Sequence, residues 1–271
     1  MRLRCQLRGL TPHVALKLVT YNVNGIKARL DRLVEYLTEA KPDIVCLQEL
    51  KTADETFPEA AIRAAGYGAV WHGQKSWNGI AVLAREADPV ERQRGLAGDP
   101  DDAHSRYLEV EVMGLIVGAL YLPNGNPRPG PKFDYKLSWM DRLAARARDL
   151  LAEEKPVVLA GDFNVIPNDD DTWSVPAMAE DALMQPEARE RYRALLAQGW
   201  TDALRTRYPK GGVWTFWDYQ AGAWQRDHGF RIDHLLLSPM AADRYLDAGV
   251  DKQFRGREKA SDHAPTWVTL R

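Results

Sequence analysis

Three carboxylates in this chain stand where apolar runs end or begin. Glu49 follows IVCLQ, Asp162 closes VVLAG, and Asp262 precedes the last apolar run. Two amides keep them company: Asn22 ends LKLVTYN, and Asn164 lies two residues beyond Asp162. Carboxylate and amide oxygens are hard ligands, which suit Mg²⁺ or Mn²⁺ better than zinc. No Cys or His group shows zinc spacing. Tyr121 and His263 also fall at the ends of apolar runs. Taken singly, each has an ordinary reading: Asp162 as a turn residue, Asn164 as a helix cap, Glu49 as a solvated loop residue. Chance is a poor explanation once polar clusters recur at the end of strand after strand. Ligand sites form where strand ends converge on one rim of a sheet. Asp233 sits inside the apolar run RIDHLLLS. A carboxylate buried there needs a partner. A histidine is one candidate, whereas the adjacent His234 points to the opposite face and reads as structural.

The elements that must position these groups alternate between strand-like and helical patterns. LKLVTYNV is β-rich, and Leu30, Leu33, Val34 and Leu37 then mark one helix face. Tyr107–Val112 and Ile116–Leu122 flank Gly114 as a hairpin. Phe133, Leu137, Met140 and Ala144 mark a long amphipathic helix, and EARERYRALLAQ marks another. Further strands are expected near Trp214–Trp217, Arg231–Ser238 and Pro265–Leu270. Hairpins together with helices point to two sheets packed face to face with helices outside.

The chain has 271 residues, enough for one large domain. A short N-terminal extension, residues 1–15, precedes a single catalytic domain over 16–271. The extension carries Arg but lacks the apolar core of a secretory signal. No apolar stretch is long enough for a membrane span. The cysteines are Cys5 and Cys46, and Cys46 reads as a buried free thiol. Isolated thiols suit a reducing compartment, so a cytoplasmic location is expected. The net charge of −2 gives no general support for a DNA partner. A metal bound among the acidic residues can still reverse the local sign.

The segments LVTYNVNGIKAR, CLQELK, YLPNG, GDFNV, TFWDY, RIDHLLLS and SDHAP occur in one order along the chain. In that order they resemble the exonuclease III family of AP endonucleases, within the wider group that includes DNase I. The resemblance spans about Leu16 to Leu270. It implies a four-layered α/β sandwich and an Mg²⁺- or Mn²⁺-dependent phosphodiesterase. The implied substrate is double-stranded DNA with abasic sites or 3′ ends, and the implied unit is a monomer. It matches Asn22, Glu49 and Asp262 to metal-site residues, and Asp162, Asn164 and His263 are counted in the same metal set. Asp162 matches the group that orients or deprotonates the attacking water, and Asn164 a phosphate-side stabiliser. Tyr121 matches an active-site tyrosine. His263 matches the histidine on the scissile phosphate, and Asp233 its carboxylate partner. Lys27, Trp77 and Asn124 fall where the family touches DNA; Phe216 and Trp217 fall where it lines the abasic-sugar pocket. By strand alternation only one of that last pair enters the pocket, and Phe216 is favoured.

Asn24 departs from an aspartate found in some relatives, and the stretch Asn126–Pro131 differs from well-known members. Two other readings compete. A lipid-phosphate phosphodiesterase of the same group commonly has a basic residue soon after the Asn, whereas this chain continues Val165-Ile166-Pro167. A DNA-binding module without catalysis is expected to lack some of Glu49, Asp162 or His263, and all are present.

Overall fold

A computed structural model describes residues 15–271; the expectations for Cys5 and the rest of the extension lie outside the described residues. The strands are β1 (Leu16–Asn22), β2 (Ile44–Gln48), β3 (Tyr67–His72), β4 (Ile80–Arg85), β5 (Val90–Arg94), β6 (Tyr107–Val112), β7 (Leu115–Tyr121), β8 (Val157–Asp162), β9 (Thr201–Asp202), β10 (Asp233–Leu237), β11 (Tyr245–Val250) and β12 (Thr266–Leu270). They form two six-stranded sheets, ordered β11-β12-β1-β2-β4-β3 and β5-β6-β7-β8-β10-β9. The two sheets and the helices outside them make the expected four-layered α/β sandwich.

Alternation along each strand divides its side chains between layers. In β1 and β2, Leu18, Ile44 and Cys46 face the space between the sheets, together with Val117, Val158, Ala160, Leu235 and Val268. Their neighbours Val19, Val45 and Leu47 turn outward beneath helix Leu30–Ala40. On the second sheet, Leu120, Val157 and Leu159 meet helices Pro131–Ala152 and Pro186–Leu196 through Trp139, Leu143 and Tyr192. Central strands covered on both faces are mostly apolar; Thr20 and Glu109 are buried exceptions with partners, Gln48 and Arg146, and the remaining polar residues gather towards the ends. Cys46 is buried as a free thiol.

The registers decide the site. β1 and β2 are parallel, with Asn22 opposite Gln48, so Glu49 leaves the sheet beside Asn22. β7 and β8 are also parallel and bring Tyr121 opposite Asp162. β10 runs antiparallel to β8 with Asp233 opposite Asp162. The polar ends of both sheets thus arrive at one rim.

Two expectations need correction. No strand forms over Trp214–Trp217; Phe216 makes only isolated bridges to Phe230 and His263. Glycine and charged residues around TFWDY break any continuous ladder there. The buried face of helix Pro131–Ala152 consists of Phe133, Lys136, Trp139, Met140, Leu143, Ala147 and Leu150. Leu137 and Ala144 are only half-buried, since the stripe follows Trp139 and Leu143 and takes in a lysine.

Candidate active site

Glu49 and Asn164 share an uncommon backbone state, with φ of 52° and 46°. Left-handed backbone at a non-glycine residue costs on the order of 1–3 kcal/mol and persists only where the surroundings enforce it. For Glu49 the enforcement is local. The turn after β1 docks onto the turn after β2, with the Gly25 N–H donating to the Glu49 carbonyl at 2.7 Å. The Glu49 carboxylate then accepts from Asn22 Nδ2 at 3.0 Å, Tyr121 OH at 2.7 Å and Lys51 Nζ at 2.9 Å. Burial raises the Glu49 carboxyl, but Lys51, Asn22 and Tyr121 outweigh it and hold the group below its usual range. Burial and the nearby Glu49 and Asp162 carboxylates push the Tyr121 phenol well up, so it stays protonated.

Asp162 is fully enclosed. Its Oδ2 accepts from Asn22 Nδ2 at 3.0 Å, and its Oδ1 accepts from the Asn164 N–H at 2.9 Å. His263 Nε2 stands 3.7 Å from Asp162 Oδ2, and His263 Nδ1 lies 2.8 Å from Asp233 Oδ2. The backbone N–H of Asp233 donates to Thr215 Oγ1 at 3.1 Å. Asp233 Oδ1 is buried without a hydrogen-bond partner, so His263 is the main support of that charge. Burial opposes a charged His263, but Asp233, Asp162 and Asp262 outweigh it and raise the imidazole to about 10. Burial first, then Asp233 and Glu49, push Asp162 up to about 7 against the pull of His263. His234 sits on the far side of the strand, with Nδ1 3.0 Å from Arg231 and Nε2 3.0 Å from the Val165 carbonyl, away from this line.

Oxygen orientation decides which groups suit a hard cation. Asn22 presents its NH₂ to both carboxylates, and its Oδ1 accepts from the Asn24 N–H at 2.9 Å. Asn164 donates Nδ2 to the Leu122 carbonyl at 2.9 Å, and its Oδ1 accepts from Asn124 at 3.2 Å. Each of these amide oxygens accepts one hydrogen bond and keeps a second lone pair, so Asn22 and Asn164 remain candidate ligands. In its charged form His263 is a donor rather than a ligand, and it can join a metal set only as the neutral ring. Asp162, Asp233 and His263 do gather closely enough to hold an ion. His263 Nδ1 hydrogen-bonds Asp233 and its Nε2 is ion-paired with Asp162 at 3.7 Å, so the three also read as a charge-paired triad. Glu49 and Asp262 remain as half-buried carboxylates at the mouth. Glu49 Oε2 already meets a cation there, the Lys51 ammonium, which also lies 2.5 Å from Asn24 Oδ1. Asn24 Nδ2 in turn donates to Asp262 Oδ1 at 3.1 Å. This all-oxygen donor set with room for positive charge fits a hard divalent cation.

A cavity of about 320 Å³ opens above the triad, lined by Asp162, Asn164, Phe216, Phe230, Ile232 and His263 among others. Phe216 stacks on Phe230 with centroids 5.0 Å apart and meets the His263 ring edge-on at 4.9 Å. Trp217 is not part of this wall. It is fully buried, with Nε1 donating to Asp227 at 2.8 Å, and its place in the pocket is corrected. Trp77 is 74% exposed and borders a second cavity of about 580 Å³, which shares Glu49, Tyr121 and Asn124 with the first. Lys27 is exposed on the loop after β1, outside both linings. The Asn126–Pro131 stretch folds onto the segment near Asp181: Asn126 Nδ2 donates to Asp181 Oδ1 at 3.0 Å.

Sequence reasoning passed over two lysines. Lys51 stands inside CLQELK, so its place beside Glu49 was within reach. Lys136 is fully buried behind Asn124 and Asn164. Its one signal is its spacing from Phe133 and Met140 on the helix.

Residues 19–263 match the endonuclease/exonuclease/phosphatase family. Exodeoxyribonuclease III of Haemophilus influenzae is 32% identical over 94% of this chain and 100% of its own. An AP endonuclease from Archaeoglobus fulgidus superposes with a TM-score of 0.90 at 35% identity, covering 94% of this chain and 99% of that one. The Neisseria 3′ phosphatase NExo, solved with a product DNA hairpin, gives 0.91 at 37% identity over the same shares. The chain belongs to the endonuclease/exonuclease/phosphatase family and, within it, to the exonuclease III family of AP endonucleases.

Proposed function

We propose that this protein is a divalent-metal-dependent DNA-repair phosphodiesterase that cuts duplex DNA on the 5′ side of abasic sites and trims 3′ ends. The observation that carries the reading is the line Asp162–His263–Asp233 beneath the wall of Phe216 and Phe230. It sets a base and a charged donor against one apolar hollow.

Hydrolysis places charge on the non-bridging phosphate oxygens and on the departing 3′ oxygen. Asp162, raised towards neutrality by burial, is suited to take the proton of the attacking water. His263, kept charged by Asp233, donates from Nε2 to a phosphate oxygen, where its charge acts most strongly as the oxygen gains negative charge. Tyr121, protonated and bonded to Glu49, fixes that carboxylate at the mouth. Glu49 and Asp262 would hold Mg²⁺ or Mn²⁺, which would supply positive charge to the phosphate and the leaving oxygen. Asn164, locked by Leu122 and Asn124, lines the same cavity on the phosphate side. A base-less sugar fits against Phe216, since an extruded nucleotide without a base exposes an apolar edge. Lys27, Trp77 and Asn124 are the proposed contacts to the flanking DNA. The proposed working unit is a monomer in the cytoplasm, where Cys46 stays a thiol.

The test is incision of a duplex carrying one abasic site, with Mg²⁺ and then with EDTA. Mg²⁺-dependent cleavage 5′ to the site supports the proposal. Full activity in EDTA, or no preference for the abasic duplex, would sink it.

A further inference from the structure

Lys136 is an ammonium with no access to solvent, on the core face of helix Pro131–Ala152. Burial pushes its pKa down to about 7, with Asp181 and Asp162 pulling the other way. A lysine in such a place needs hydrogen-bond acceptors, and it has found two backbone carbonyls. Its Nζ lies 3.0 Å from the Asn124 carbonyl and 2.5 Å from the Asn164 carbonyl. Those carbonyls belong to the two site loops, the one after β7 and the one after β8. The side chains of the same two residues meet on the other side, Asn124 Nδ2 donating to Asn164 Oδ1 at 3.2 Å. Asn164 is also the residue in the left-handed region, at φ 46°. Its own N–H is taken by Asp162 Oδ1 and one of its two side-chain N–H groups by the Leu122 carbonyl, which leaves the other for the cavity that Asn164 lines. The remaining backbone group, the carbonyl, is the one Lys136 holds. Close packing fits the same role: a Cβ on Gly125 would come within 2.7 Å of the Lys136 chain, so the loop lies directly against it.

We infer that Lys136 is a positioning residue that clamps the Asn124 and Asn164 loops together from beneath and keeps Asn164 aimed at the scissile phosphate. The inference rests on the phosphodiesterase reading above for what Asn164 does. Lys136 touches no substrate. Its effect on rate runs through Asn164 and through the strained turn that it holds closed.

The experiment is steady-state and single-turnover incision of abasic duplex DNA by wild type, Lys136→Met, Asn164→Ala and the double variant. Loss of one aligned catalytic donor typically costs about 10²–10³ in rate, and misalignment of it is expected to cost on the order of tenfold or more. Lys136→Met should therefore lower kcat by about tenfold to a hundredfold and move KM far less. In the Asn164→Ala background the same change should add less than about twofold, because residues acting as a unit are non-additive. Lys136→Gln keeps one donor and should recover part of the lost kcat. Multiplicative losses in the cycle, or a wild-type kcat in Lys136→Met, would overturn the inference. So would loss of the fold in both Lys136 variants, since that assigns the residue to the core alone. Wild-type activity on the abasic duplex reports separately on the functional reading, so the two failures are distinguishable.

Discussion

His263 Nδ1 lies 2.8 Å from Asp233 Oδ2, and both side chains are shut off from solvent. That contact fixes which nitrogen faces the cavity and keeps the ring charged. Removing either partner should slow the chemical step more than it weakens DNA binding, because the charge met by the ring develops in the transition state. A loss of about 10²–10³ in single-turnover rate is expected for His263→Ala. Asp233→Asn combined with His263→Ala should be little worse than His263→Ala alone. Independent, multiplying losses would show that the two do not act together.

Glu49 is the mouth carboxylate with the most support, from Asn22, Tyr121 and Lys51. Glu49→Gln should raise the Mg²⁺ needed for half-maximal rate and weaken Mn²⁺ binding measured calorimetrically without DNA. Unchanged Mn²⁺ affinity in that variant would remove Glu49 from the metal site.

Phe216 and Trp217 are adjacent in sequence and opposite in role. Phe216→Ala should lower the preference for abasic over intact duplex at a stability cost under about 2 kcal/mol. Trp217→Ala should cost roughly 3–5 kcal/mol through the cavity it leaves and keep the abasic preference in the surviving folded protein. Abasic preference and thermal unfolding measured on both variants check the contrast.

This pair also marks how far the sequence could be read. Strand ends were legible because central strands carry few polar residues elsewhere, so Asn22, Glu49, Tyr121 and Asp162 announced a common rim. The Asp233 partner was legible too, since a carboxylate in RIDHLLLS had to be satisfied. Donor direction was not. Asn22 and Asn164 supply oxygen atoms by composition, and only the fold reveals that each of those oxygens already accepts one hydrogen bond. The Trp214–Trp217 segment misled in the same way: its aromatics look like a strand, but isolated bridges leave Phe216 at the wall and send Trp217 inward. Lys136 was hidden because a charged residue on a helix is ordinarily assigned to solvent.

A second buried network predicts the response to acid. Arg231 holds Asp171 and Asp202, with Nη1 2.7 Å from Asp202 Oδ2. Burial opposes ionisation of Asp202, but Arg231 and His234 outweigh it and lower the group to about 2. Its folded pKa is thus depressed below an unfolded value near 3.9, so its contribution is present above about pH 4 and is lost as pH falls towards 2. Burial and then Arg231 lower His234 to about 4, below an unfolded value near 6.5. The unfolded chain therefore binds the proton first, and stability falls as pH drops from about 6.5 to 4. His234→Gln should flatten the upper part of the melting-temperature profile and leave the lower part in place. An unchanged slope between about pH 6.5 and 4 would exclude His234 as the source.

Asp162, beside a charged His263, is the proposed base for hydrolysis of the phosphodiester at an abasic site. Single-turnover incision of abasic duplex DNA in saturating Mg²⁺, comparing wild type with Asp162→Asn, addresses it most directly. The amide keeps the shape of the carboxylate but cannot take a proton, so the rate should fall by at least about 10²-fold while DNA affinity holds. An Asp162→Asn protein that cuts at the wild-type rate would contradict the account.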